Sequence, residues 1–253
     1  MSTIPFAVQL YTLRKETAED FAGTLRKVAD LGFEAVEFAG FGEMTAREVK
    51  NLLDKLNLKA AASHVPLEEL KNHLPQVLED QKTIGSTYVV CPFIEKRQEE
   101  DYRTLIRDLN DIGEACQKEG ITLCYHNHDF ELEPFTDGRK PLDLIFQETD
   151  EDRVKAEFDI YWLQKAGEQP SEWIDRYQGR APLIHLKDMT LDEEQFFAEL
   201  GTGGVDLDTI FVLGEKVGVK WWIVEQDESR TSPLESLEIS MNYLKEKFPH
   251  LQK

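Results

Sequence analysis

Residues 106–125 read IRDLNDIGEACQKEGITLCY: an amphipathic helix over Ile106–Glu119, a stop at Gly120, then the β-rich run Ile121-Thr122-Leu123-Cys124-Tyr125. A glycine just past a helix end takes the left-handed conformation that other residues resist, so the stop has a physical basis. The same phrase recurs along the chain. Leu25–Leu31 leads through Gly32 to Ala35-Val36-Glu37-Phe38, and Val77–Ile84 leads through Gly85 to Tyr88-Val89-Val90-Cys91. Ile210–Val217 leads through Gly218 to Trp221-Trp222-Ile223-Val224.

Four further runs complete the alternation: Phe6–Leu10, Ala60–Ser63, Val154–Phe158 and Pro182–Leu186. Helices are expected over Glu19–Leu31, Thr45–Leu56, Leu67–Ile84, Gln98–Glu119, Leu142–Thr149, Pro170–Tyr177, Glu193–Glu199 with Leu207–Val217, and Pro233–Lys247. Strict β/α alternation argues for a parallel sheet with helical crossovers. No Gly-rich dinucleotide loop follows the first strand, and polar residues end nearly every strand instead of gathering at one crevice. Both features favour a closed (β/α)₈ TIM barrel over an open doubly wound sheet. With 253 residues and no linker or low-complexity segment, one domain over 1–253 is expected.

Apolar residues make up 41% of the chain, enough for a full core, and no run approaches a membrane span. The start, Met1-Ser2-Thr3-Ile4, has no basic n-region, so no signal peptide is expected. Cys91, Cys116 and Cys124 lack CxxC spacing and read as reduced, buried thiols of a cytoplasmic protein. The 49 acidic against 29 basic residues give a net charge of −20, a surface that repels phosphate backbones and anionic lipid. Neither a nucleic-acid nor a membrane partner is expected.

His64, His126, His128 and His185, with Glu37, Asp159 and Glu225, fall at strand ends. In a barrel those ends converge on one mouth. His126 and His128 lie two apart, so both can face the axis with Asn127 turned away, and His185 and Lys187 repeat the spacing. Imidazole and carboxylate donors without thiolate suit one divalent ion, Mn, Co, Zn, Fe or Mg. Such an ion polarises a carbonyl and stabilises the enediolate formed when the neighbouring carbon loses its proton.

Several stretches together resemble the xylose isomerase-like sugar isomerase/epimerase superfamily: Val8-Gln9-Leu10-Tyr11-Thr12-Leu13-Arg14, Gly32-Phe33-Glu34-Ala35-Val36-Glu37, Ser63-His64-Val65, Tyr125-His126-Asn127-His128-Asp129-Phe130-Glu131, Phe158-Asp159-Ile160-Tyr161-Trp162 and His185-Leu186-Lys187-Asp188. The Tyr-His-Asn-His-Asp-Phe-Glu run is the most specific. The resemblance implies one divalent ion held from strands five to eight, with Asp159, His185 and Glu225 in three of the four positions. At strand five His126 stands where the superfamily usually has Glu, so either His126 is the ligand or His128 or Glu131 reaches in. It also implies a small sugar or polyol as substrate, and a dimer or tetramer as a common state.

The reading that results is a divalent-metal-dependent sugar isomerase or epimerase. Glu225 or His126 acts as base and Lys187 neutralises an oxyanion, unless Lys187 simply pairs with Asp188 or Glu157. Glu37, His64, His128, Glu131 and Trp162 are expected to contact substrate. Gly201-Thr202-Gly203-Gly204 lacks the strand-turn-helix context of a phosphate cradle and is expected to be a mobile loop at the site. Three rivals remain: a dehydratase or keto-glycoside lyase sharing the enediolate, a non-catalytic sugar-binding barrel, and an apurinic endonuclease-like hydrolase, which the acidic balance disfavours.

Overall fold

All eight expected strands form, and they pair in parallel in the order β3-β2-β1-β10-β7-β6-β5-β4. In this computed structural model they are β1 (Phe6–Gln9), β2 (Ala35–Phe38), β3 (Lys59–Ser63), β4 (Tyr88–Cys91), β5 (Thr122–His126), β6 (Val154–Asp159), β7 (Leu183–Leu186) and β10 (Trp221–Val224). Between β7 and β10 lies an antiparallel pair, β8 (Asp188–Met189) and β9 (Phe197–Ala198). The structure describes residues 4–252; the expected limits at Met1 and Lys253 and the Met1-Ser2-Thr3 start lie outside the described residues. The open edge between β3 and β4 is spanned by a parallel bridge from His64 to Val90, where Val65 N donates to Val90 O at 2.8 Å. The result is a nearly closed (β/α)₈ barrel with its helices outside.

Side chains alternate along each strand, so every strand serves two cores. Outward residues such as Val8, Val36, Leu123, Phe158, Ile184 and Trp222 pack under the helices. Inward residues Ala7, Ala35, Ala62, Val90, Cys124, Leu183 and Ile223 plug the barrel axis, joined by Ala61 where an irregularity in the β2–β3 register breaks the alternation. Two residues further along the same inward face the chemistry changes: Ala7 is followed by Gln9, Ala35 by Glu37, Cys124 by His126, Leu183 by His185 and Ile223 by Glu225. One step of the period-two pattern thus turns an apolar plug into a polar floor at the strands' C-terminal ends.

Three helical expectations need correction. The expected helix Glu19–Leu31 starts later, at Phe21–Leu31, because Asp20 caps it by accepting from Gly23 N at 2.8 Å, and an unexpected helix Arg14–Glu19 precedes it. Leu67–Ile84 likewise breaks at His73 into Leu67–Asn72 and Leu74–Ile84, because Pro75 has no N–H to continue the first helix. Glu193–Glu199 is not helical: Phe197 enters β9, and its ring stacks on Tyr161 at 4.3 Å between centroids. Tertiary burial of that ring overrides local helix propensity. A short helix at Ile160–Lys165 was not expected at all.

Gly113, in the middle of the helix Glu99–Lys118, packs closely on the residue before β6, since a Cβ there would lie 2.8 Å from Arg153 O. Helix propensity alone would make Gly113→Ala stabilising by about 1 kcal/mol. The contact predicts the opposite, a loss of about 1–3 kcal/mol from overpacking, read from urea unfolding. A more stable Gly113→Ala protein would contradict this packing.

Candidate active site

The floor is a buried network of two carboxylates and three imidazoles. Glu37 and Glu157, both fully buried, project inward from β2 and β6. Glu157 Oε2 stands 2.6 Å from His64 Nε2, 3.0 Å from His126 Nδ1 and 3.2 Å from His185 Nε2. Glu37 Oε2 accepts from Gln9 Nε2 at 2.7 Å and lies 2.6 Å from His185 Nε2. These contacts take up the downward-facing ring nitrogens of His126 and His185. The other nitrogens, His126 Nε2 and His185 Nδ1, face up toward Asp159 Oδ2, at 3.8 and 3.9 Å.

Above the floor, His126, Asp159, His185 and Glu225 each present one ligand atom, and all four lie within 4.8 Å of one another. Ligands about 2.1 Å from a tetrahedral ion stand about 3.4 Å apart, so the set would have to draw inward to close around one ion. Asp159 is pinned for this role. Its Oδ1 accepts from Tyr161 N and Trp162 N at the start of the helix Ile160–Lys165, which leaves the buried Oδ2 to face the cluster. Lys187 Nζ lies beside the same acids, 2.9 Å from Asp159 Oδ2, 2.7 Å from Glu225 Oε2 and 2.5 Å from Asp227 Oδ2. A second group, His64, His126, Glu157 and His185, also has ligand atoms within 4.8 Å of one another. It shares both upper rings and lies where Glu157 already orients them.

Burial and charge set the protonation states. Burial pushes Glu37 up to about 7, helped by the neighbouring Glu157 charge. Burial also pushes Asp159 up to about 6, against the pull of Lys187 and His185. For Glu157 and Glu225 desolvation is outweighed, by His185 and His64 in the first case and by Lys187 and His185 in the second, so both stay well below the usual carboxylate range. Desolvation is likewise outweighed at His185, by Glu157, Glu37 and Glu225, and at Lys187, by Asp159, Asp227 and Glu225; both are held well above their ordinary values. His126, pushed down to about 3 by burial and by His185, is a neutral ring. The cluster of acids exceeds its fixed cations, which is the electrostatic condition for drawing in a metal ion.

The other expected residues fall into two groups. His64 and His128 line a cleft of about 700 Å³ above the cluster, together with His126, Lys187 and Glu225. His128 lies beyond the end of β5, stacked on Phe130 at 4.9 Å, and is not among the grouped ligands. Substrate contacts expected at Glu37 and Glu131 are not what the structure provides, since both are fully buried and neither lines the cleft. Glu131 accepts from Tyr125 Oη and His128 N, both at 2.7 Å, and so holds the turn that carries His128. Trp162 stands behind Lys187, its ring centroid 5.6 Å from Nζ, outside the residues lining the cleft.

Lys187 pairs with neither Asp188 nor Glu157. Asp188 is instead buried among backbone donors, accepting from Gly201 N, Gly203 N and Val205 N, each at 3.0 Å. The glycine run wraps that carboxylate; a Cβ on Gly203 would lie 2.3 Å from Met189 O. Sequence reading missed Gln9, Glu157 and Asp227. The same spacing of two that linked His185 to Lys187 links Glu157 to Asp159 and Glu225 to Asp227, and would have found both acids.

A family model described as xylose isomerase-like TIM barrel matches residues 25–247. The chain is 24% identical over 269 residues to the inosose dehydratase of Clostridium beijerinckii, covering 90% of this chain and 89% of that protein. Among solved structures it superposes on a sugar phosphate isomerase/epimerase from Parabacteroides distasonis with a TM-score of 0.83, at 23% identity, over 96% of this chain and 94% of that one. It also superposes on the IOLI protein, described with a binding zinc atom, with a TM-score of 0.76 at 14% identity, over 96% and 97% of the two chains. At these identities the structural likenesses concern the fold.

The geometry yields two predictions. Glu157→Gln keeps the side chain's size but removes the charge that orients two rings, and is expected to weaken Mn²⁺ uptake about 10–100-fold in chelator competition. Unchanged affinity would contradict the orienting role. Glu131, pushed up to about 7 by burial, keeps its proton in the fold over a range where the unfolded chain, at 4.5, has lost it. Its contribution is therefore fully present below pH 4.5 and falls by about 1.4 kcal/mol per pH unit until pH 7. Chemical unfolding of the wild type against Glu131→Gln should show that decline in the difference between the two; a flat difference would contradict it.

Proposed function

The chain belongs to the xylose isomerase-like TIM barrel family, and from that premise we propose that it is a metal-dependent sugar isomerase or epimerase. Its substrate is a ketose, a keto-inositol or a related polyol, and the reaction begins by removing a proton from the carbon beside the carbonyl. The observation that carries the reading is the convergence of His126, Asp159, His185 and Glu225, of which His126 and Glu225 line an open cleft and the other two lie buried against them.

Those four residues would hold one divalent ion, Mn, Co, Zn, Fe or Mg. When bound, the ion would supply a Lewis acid that polarises the substrate carbonyl and steadies the enediolate's charge. The chain's own residues do the rest. Glu225, ionised and lining the cleft, takes the proton; the base expected at His126 is not available there, since its Nδ1 is held by Glu157 and its Nε2 faces the ion's position. Lys187, charged and adjacent, offsets negative charge developing on substrate oxygen. His64 and His128 line the cleft where they can meet substrate hydroxyls. Glu37, Glu131 and Trp162 act as supports: Glu37 beneath His185, Glu131 beneath the His128 turn, Trp162 behind Lys187. Return of the proton to another position gives the isomer or epimer.

Elimination is the second reading. It is favoured by the likeness to inosose dehydratases over 90% of the chain, and it shares the proton abstraction. We further assign the protein to the cytoplasm, in keeping with Cys91, Cys116 and Cys124, all buried and free. Among the described residues no helix is long and apolar enough to cross a membrane.

Incubating the Mn²⁺-loaded protein with ketoses and inososes in deuterated water tests the chemistry. Deuterium should enter beside the carbonyl, stop on adding chelator, and slow about 10²–10⁴-fold in Glu225→Gln. Label without loss of a group means isomerisation, and release of water or an aglycone means elimination. Sugar binding that ignores chelator, with no exchange in any substrate, would contradict both readings and leave a binding barrel.

A further inference from the structure

Lys187 shares its partners with the proposed metal ligands. β7 and β10 pair with His185 opposite Ile223, so Lys187 and Glu225 come out side by side at the strand ends. Two of the three carboxylate oxygens around Lys187 Nζ are Asp159 Oδ2, at 2.9 Å, and Glu225 Oε2, at 2.7 Å. The same two oxygens face the ligand rings: Asp159 Oδ2 stands 3.8 Å from His126 Nε2, and Glu225 Oε2 stands 2.8 Å from His185 Nδ1. An ammonium and a metal ion carry like charge, so each loosens the other's hold on an oxygen they share. A lysine buried there works against metal affinity unless another anion draws it aside.

The third oxygen, Asp227 Oδ2, lies 2.5 Å from Nζ and belongs to neither group of possible metal ligands. Asp227 stands one period-two step beyond Glu225 and lines the cleft, its side chain 22% exposed where Lys187 is 1% exposed. Its backbone is fixed, because Arg14 Nη1 donates to Asp227 O at 2.7 Å. Elsewhere the ammonium meets ring faces, with Nζ 5.6 Å from the Trp162 centroid and 5.8 Å from that of Phe197. The anion outside the ligand set therefore sits on the cleft side of Lys187.

We propose that Asp227 is a positioning residue that draws the Lys187 ammonium toward the cleft and away from the ion. Asp159 and Glu225 are then left to the ion, and Lys187 is held where substrate oxygen arrives. The proposal rests on the metal reading of the cluster.

Mn²⁺ affinity by chelator competition tests it on four proteins: the wild type, Asp227→Asn, Lys187→Met and the double variant. Asp227→Asn should bind Mn²⁺ about tenfold more weakly, because Lys187 falls back on Asp159 and Glu225. Lys187→Met should bind about tenfold more tightly than the wild type. Once Lys187 is gone, adding Asp227→Asn should change affinity less than about threefold. Circular dichroism checks folding, and Lys187→Gln takes the place of Lys187→Met if the latter does not fold. The same loss in both backgrounds would mean that Asp227 acts on the ion by its charge alone, and would overturn the proposal. So would an unchanged affinity in Asp227→Asn, or weaker binding in Lys187→Met. No uptake by any of the four proteins would overturn the metal reading itself, and the role of Asp227 with it.

Discussion

Glu157 lies on the barrel axis with one carboxylate oxygen within 2.6–3.2 Å of ring nitrogens from His64, His126 and His185. An ionised carboxylate in that position is costly to bury unless surrounding donors satisfy it. Here three imidazoles satisfy Oε2 while Oε1 stays without a partner, and in return their rings are fixed. With Nδ1 of His126 and Nε2 of His185 engaged below, their other nitrogens are committed upward, toward Asp159 and Glu225. The upper cluster therefore owes its shape to a residue that does not line the cleft. Glu37, braced by Gln9, shares His185 Nε2 with Glu157, lying 2.6 Å from it.

Barrel construction makes this affordable. Small residues fill the axis beneath the network, so the polar floor rests on a dry plug and opens only toward the strands' C-terminal ends. Asp159 adds a second constraint, because one of its oxygens caps the helix Ile160–Lys165 and cannot leave. Lys187 sits against Asp159, Glu225 and Asp227. It compensates part of the acid excess, while the upward nitrogens of His126 and His185 face the same Asp159 oxygen at 3.8 and 3.9 Å. Because His185 is held in its charged form, taking up a cation there must expel a proton, so binding should weaken as pH falls.

Most of the architecture was legible in the sequence, since glycine stops and β-rich runs are local signals. The strands came out within a residue or two at each end, and the helices Leu207–Val217 and Pro233–Lys247 as expected. What local pattern could not show is where long-range packing decides. Phe197 leaves a helix-prone stretch to stack on Tyr161, and Pro75 breaks a helix whose apolar spacing runs on regardless. The site was legible where residues end strands: His126, Asp159, His185 and Glu225 converge as strand-end positions in a barrel must. Glu157 was passed over because, between Ala156 and Phe158, it reads as a polar interruption of an apolar strand. Its meaning depends on facing the axis in register with His126.

The central claim is that the four-residue cluster holds a metal ion. Elemental analysis of the purified protein, set beside an Asp159→Ala, Glu225→Ala double variant, tests it most directly. The account predicts close to one divalent ion per chain in the wild type and none in the variant, with both folded by circular dichroism. A wild-type protein that carries no ion and takes up none from added Mn²⁺, Co²⁺ or Zn²⁺ would contradict it.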